Sequence, residues 1–169
     1  MSIAKEQAKA KPKMDEIVGD ILHEENLKNA LDLMAFAKEN KISLRWSSTN
    51  AYQLYYKSKR IGIIRMTVDA YKMYAMPVNS WYFSPWDSHD ILDELISTEK
   101  NAKEIIWNNV RVCSSCGSCK PRHDRTIFGK VFEKTCHAWF HMVNPNKDTI
   151  DCIKSLLRIK KNHIDNAAV

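Results

Sequence analysis

Cys113, Cys116, Cys119 and Cys136 form the pattern C-x2-C-x2-C-x16-C, and the 112 residues before them hold no cysteine. Zinc is commonly held by four thiolate or imidazole ligands in a tetrahedron. A C-x2-C pair lets two sulfurs reach one ion from a single tight turn. Cys113-Ser114-Ser115-Cys116-Gly117 has that form, with a glycine where such a turn needs positive φ. Cys119 can add a third sulfur from the same loop, and Cys136 a fourth from a returning segment. His123, His137 and His141 lie near enough in sequence to replace one of them.

The expected cofactor is therefore a structural zinc ion. Three cysteines at three-residue spacing also resemble part of an iron–sulfur run, so a cluster is the alternative, with thiol redox chemistry a further one. A reactive C-x2-C is usually placed at a helix start, whereas Cys113 follows a helix-like segment. The bland reading is that the thiols pack as small apolar groups. Ser114, Ser115, Gly117, Ser118 and Lys120 argue against it, because they make a polar loop with little core to join. Cys152, set among apolar residues of the last helix, reads as a buried structural thiol.

Lys120, Arg122, His123, Arg125 and Lys130 crowd the same segment. Lys120, Arg122, Arg125 and Lys130 are candidates for contacts to an anion or nucleic acid. They also suit a simpler role, since four thiolates on Zn²⁺ leave a formal charge of about −2 that nearby cations offset. The stretch CSSCGSCKPRHDRTIFGKVFEKTC, followed by an Asn-Pro and a terminal helix, resembles a small family of uncharacterised bacterial proteins. Their pattern places a helix and a Trp/Tyr-rich meander before a C-x2-C-G-x-C…TIFGK…C segment. The resemblance implies that the four cysteines act as a unit, and it implies no activity.

The elements that must carry this loop follow from pattern and composition. The chain has 169 residues, 44% apolar and 27% charged, with a formal net charge of +6. That suits one soluble domain able to bury a core without a metal. The charge sits at the ends. Lys5, Lys9, Lys11 and Lys13 face only Glu6, and Lys154, Arg158, Lys160 and Lys161 face no acid between 153 and 163. Residues 1–13 read as a disordered basic tail and 14–169 as one domain. Basic ends permit weak nucleic-acid binding. No run of 18 apolar residues suggests a membrane span, and MSIAKEQAKAKPK has no apolar export signal. A reducing cytoplasm is therefore expected.

Helical spacing runs from Met14 to Asn40, with Asn26 as a candidate N-cap and Leu27, Ala30, Leu31, Met34 and Ala35 as the inward stripe, widened by Leu33 and Phe36. A three-stranded meander is expected between Leu44 and Met76. Its hairpin turn is Lys57-Ser58-Lys59, its second strand spans Arg60 to Thr67 and its third Tyr71 to Met76. Pro77 and Pro85 bound an expected loop carrying Trp81, Tyr82, Phe83 and Trp86. Aromatics at that density close over a core more often than they bind a ligand. Asp87, Asp90, Asp93 and Glu94 suit a helix start, where carboxylates are favoured. Two apolar stripes, Ile91 to Ile96 and Ala102 to Val110, predict helices broken near Ser97 and Thr98. A last helix is expected from Pro145 to Asp148 onward.

The fold class expected is α+β: a small antiparallel meander packed with helices, plus a cysteine-rich metal-binding loop near the C-terminus. No P-loop, dinucleotide fingerprint, H-E-x-x-H or G-x-S-x-G occurs, so no enzyme class is indicated. The functional reading is a small cytoplasmic binding or regulatory protein with a four-cysteine zinc site. An iron–sulfur or thiol redox protein and a nucleic-acid binder are the alternatives.

Overall fold

A computed structural model describes residues 3–69, 76–86, 91–113 and 123–167, except for the side chains of His123 and of residues 136–139. The fold is α+β. Three helices lead: α1 (Ile3–Ala10), α2 (Met14–Ile21) and α3 (Glu24–Glu39). Strands β1 (Ser43–Ser48), β2 (Ala51–Tyr56), β3 (Lys59–Thr67) and β4 (Ser80–Pro85) follow. Then come α4 (Leu92–Thr98), α5 (Ala102–Asn108), β5 (Val110–Val112), β6 (His123–Ile127), β7 (Lys130–Phe140), β8 (Met142–Val143) and α6 (Lys147–Asn166). The larger antiparallel sheet has the order β1-β2-β3-β4-β8, and the smaller one β5-β7-β6.

The structure differs from the sequence expectation at the N-terminus, where α1 lies in the segment expected to be a disordered tail. Gln7 ties α1 to the β1–β2 turn. Its amide donates to Asn50 Oδ1 (2.6 Å), and its carbonyl oxygen accepts from the Asn50 backbone N–H (2.8 Å). Helix α3 also departs from expectation. It starts at Glu24, ahead of the expected Asn26 cap. Leu33, Phe36 and Ala37 are buried beside Ala30, while Leu31 stays 45% exposed. The helix is thus turned so that Leu33 and Phe36 are buried, while Leu27 and Met34 pack partly against the core.

The meander is present and has four strands. Lys57 and Ser58 both adopt positive φ (42° and 66°), the pattern of a two-residue hairpin turn whose twist matches its strands. The expected third strand lies outside the described residues, apart from buried Met76. The loop expected between Pro77 and Pro85 is overturned: Ser80–Pro85 is β4, paired along its length with β3. Trp81, Tyr82 and Phe83 are all buried, so neither face of β4 is open and no in–out alternation marks it. Gly62 permits the close approach, since a Cβ there would lie 2.7 Å from the Phe83 ring.

Helix α6 packs against α3, α4, α5 and β3 and closes the core. Its Asn146 cap accepts from the Thr149 N–H at 3.0 Å, and Ile150, Ile153, Leu156 and Leu157 point inward as their spacing predicts. Cys152 is buried as well. Burial, helped by Glu99, pushes its thiol up to about 12 from 9.0. Burial first, then Glu16 and Asp15, likewise pushes the Tyr52 phenol up to about 12. Because the folded pKa values are raised, the native state keeps protons that the unfolded chain loses above about pH 9. Stability should therefore fall as pH rises from about 9 toward 12, with Cys152 contributing up to about 1.4 kcal/mol per pH unit. Urea midpoints between about pH 8.5 and 10.5 check this. The drop should be smaller in Cys152→Ala than in the unsubstituted protein.

Candidate functional site

The two described ends of the cysteine segment adjoin the smaller sheet. Strand β5 runs directly into Cys113, and β7 carries the Cys136 backbone. Thr135 is the register partner of both Val112 and His123. The backbones of Cys113, His123 and Cys136 therefore lie within one residue of that shared cross-strand row. The Cys113 N–H donates to the Lys134 carbonyl at 2.7 Å. Lys134 itself bends the strand at φ 52°, and its N–H donates to Asp124 Oδ1 at 2.8 Å.

Strand β7 is irregular on both sides of this point. Two steps along β5, from Val112 to Val110, face five along β7, from Thr135 to Phe140. On the other flank the register with β6 slips between His123 and Arg125. Bulges of this kind leave residues without ladder partners and re-aim side chains. The looser stretch of β7 contains Cys136 and His137. Among the described residues, Cys113 and Cys152 form no disulfide, and no group of three potential metal ligands is assembled. Cys116 and Cys119 lie outside the described residues.

The small sheet has a modest core of its own. Val112 and Val131 are 61% and 62% exposed, and Asp124, Glu133 and Lys134 also face solvent. Among its described side chains, burial is confined to Thr135, Ile127 and Phe140. The sheet is anchored at its other end, where Trp107 Nε1 of α5 donates to the Ile127 carbonyl at 2.8 Å.

The basic residues expected to form one patch are placed differently from one another. Lys120 and Arg122 lie outside the described residues. Lys130 sits 5.3 Å from the Trp107 ring centre and 5.1 Å from that of Phe132. Arg125 lines a small cavity of about 370 Å³ with Asp93 and Phe128. The C-terminal cations are engaged too: Lys154 pairs with Asp32 at 2.7 Å, and Arg158 and Lys161 lie over Phe36 and Tyr56. His141, a candidate ligand by sequence, is buried with its ring 4.7 Å from Tyr82. Of the aromatic run, Trp86 is exposed (47%), while Trp81, Tyr82 and Phe83 are core.

A second concavity has no counterpart in the sequence expectations. The β2–β3 hairpin, the end of β4 and the last turns of α6 enclose a cleft of about 640 Å³. Its walls carry Lys57, Lys59, Arg60, Lys160 and His163 beside Ile61, Ile91 and Ile164. The available signal is the Lys57–Arg60 run in the turn. By itself that run reads as turn chemistry, and nothing local shows that α6 brings more cations to it.

No protein-family model, curated protein or solved structure matches this chain. Among the described residues, no helix is long and apolar enough to cross a membrane.

Proposed function

We propose that the protein is a small binding or regulatory protein in which Cys113, Cys116, Cys119 and Cys136 hold one structural zinc ion on the β5–β7–β6 sheet. One observation carries this reading. Cys113, directly after β5, and the Cys136 backbone on β7 lie one residue from a shared register row, where β7 is bulged and where, among the sheet's described side chains, Thr135, Ile127 and Phe140 are the buried ones. A three-stranded ribbon with a small apolar face is marginal in water. A metal bound only by the folded form supplies the missing stabilisation. The donors are four thiolates, a set that selects zinc or an iron–sulfur cluster over oxygen-loving cations. Arg125 and Lys130 on β6 and β7 suit the negative charge that such a site carries.

Metal analysis and an absorbance spectrum on protein purified without oxygen test the reading. About one zinc per chain and no visible colour is the expected result. Iron with a broad visible band would replace zinc by a cluster and make electron transfer the function. Protein without either metal, folded throughout, would overturn the proposal.

A further inference from the structure

The cleft between the β2–β3 hairpin and α6 is independent of the cysteine segment, and its chemistry is different. Its volume, about 640 Å³, falls in the range of small-molecule sites. One wall is the turn and the start of β3, where Lys57, Lys59 and Arg60 follow one another closely. The opposite wall is α6, which contributes Lys160 and His163. The floor is apolar, with Ile61, Ile91 and Ile164.

Two of the nitrogen-bearing side chains on these walls meet acids. Lys57 Nζ lies 2.7 Å from Asp165, and His163 Nε2 lies 2.7 Å from Glu94. Lys160 is buried and donates to the Trp86 carbonyl, which pins the end of β4 against α6. Among the described residues, no carboxylate forms a salt bridge with Lys59 or Arg60. The Arg60 guanidinium lies 3.2 Å from the Trp86 ring centre. Stacking of that kind leaves the N–H donors in the guanidinium plane, available to an anion. The carbonyl end of α6 has the opposite polarity, and Lys160 near that end offsets it.

Among the described residues, a site with more cations than carboxylates on its rim, isoleucines on its floor and an exposed tryptophan beside it matches a molecule with an anionic group and a flat apolar body. We infer that this cleft binds a phosphate-bearing aromatic molecule of mononucleotide size, with the phosphate toward Lys59 and Arg60 and the ring against Trp86 and the isoleucine floor. Phosphate favours Arg for geometry and Lys for charge, and base rings stack on aromatic side chains. The same chemical unit occurs as a free nucleotide and within a single strand, so the test separates the two.

Calorimetric titration of the full chain at about 50 mM salt with AMP, adenosine, inorganic phosphate and an eight-base oligoadenylate decides the matter. AMP should bind at least about tenfold more tightly than adenosine or phosphate, because only AMP uses both the cationic rim and the apolar floor. An oligoadenylate no tighter than AMP marks a free nucleotide as the ligand. One more than about tenfold tighter, with a steep salt dependence, marks a strand. Lys59→Glu and Trp86→Ala, both at exposed positions, should each weaken AMP binding about tenfold or more while thermal melting stays near that of the unsubstituted protein. Failure of both AMP and the oligoadenylate to bind would overturn the inference. So would adenosine binding as tightly as AMP, or unchanged AMP binding in both variants.

Discussion

Serine in place of any one of Cys113, Cys116, Cys119 or Cys136 should weaken zinc binding by more than about 100-fold. Loss of a mere outer partner of a metal ligand costs roughly 10–100-fold, and a missing thiolate removes a bond to the ion itself. The chain should also respond unevenly. Helices α3 and α6 and the larger sheet bury their own core, including Leu33, Tyr52, Ile64, Phe83 and Leu156. They should keep their slow amide exchange. The smaller sheet, with Val112 and Val131 exposed, should exchange quickly along β5, β6 and the first half of β7. Cys152→Ser is the control: its sulfur is buried in α6, so metal content should stay at the level of the unsubstituted protein. Metal analysis with hydrogen exchange on the five variants checks all of this. Full metal content in every single variant, with unchanged exchange, would rule out a four-cysteine site.

Trp81→Ala should cost about 3–5 kcal/mol, a large part of the stability of a domain this size. Trp81 is fully buried in β4, between β3 and β8. Its backbone is locked to the β8–α6 connection by a reciprocal pair: Trp81 N–H to Asn144 Oδ1 at 3.0 Å, and Asn144 N–H to the Trp81 carbonyl at 2.8 Å. Removing the indole leaves a cavity that this rigid frame fills poorly. Its Nε1–H has no hydrogen-bond partner among the described residues. An unpaired buried donor costs about 1–3 kcal/mol, so Trp81→Phe, which drops that donor and keeps most of the volume, should cost less than about 1.5 kcal/mol. Urea denaturation of the two variants measures both. Equal losses would show that the indole N–H is satisfied or that the site tolerates no change of shape.

Helix positions are legible in the sequence wherever one face carries the apolar groups. The stripes at Ile91–Ile96, Ala102–Val110 and Ile150–Leu157 mark α4, α5 and α6 because side chains three and four apart share a face, although Val110 falls past the end of α5 and belongs to β5. In α3 the same rule is less selective. Apolar groups at Leu27, Leu31 and Met34 compete with Leu33 and Phe36, and packing against α6 settles the choice. Strand β4 escapes pattern reading for the opposite reason. SWYFSP is apolar without alternation and bounded by prolines, and only β3 and β8 on either side make it a strand.

By itself the sequence determined the α+β character, the meander with its Lys57-Ser58 turn, the burial of Cys152, and the cysteine pattern that names a metal as the expected ligand. These are local properties: periodicity, turn chemistry and spacing act within a few residues of chain. The tertiary structure alone decided that Cys113, just past β5, and the Cys136 backbone on β7 adjoin one register row, and that Trp81 and Phe83 are core while Trp86 stays exposed. It also decided that the cations of a hairpin turn and Lys160 of a helix about a hundred residues away face one cleft. Such placements depend on which elements pack together, and that is set by the sum of many weak contacts across the fold rather than by any one segment.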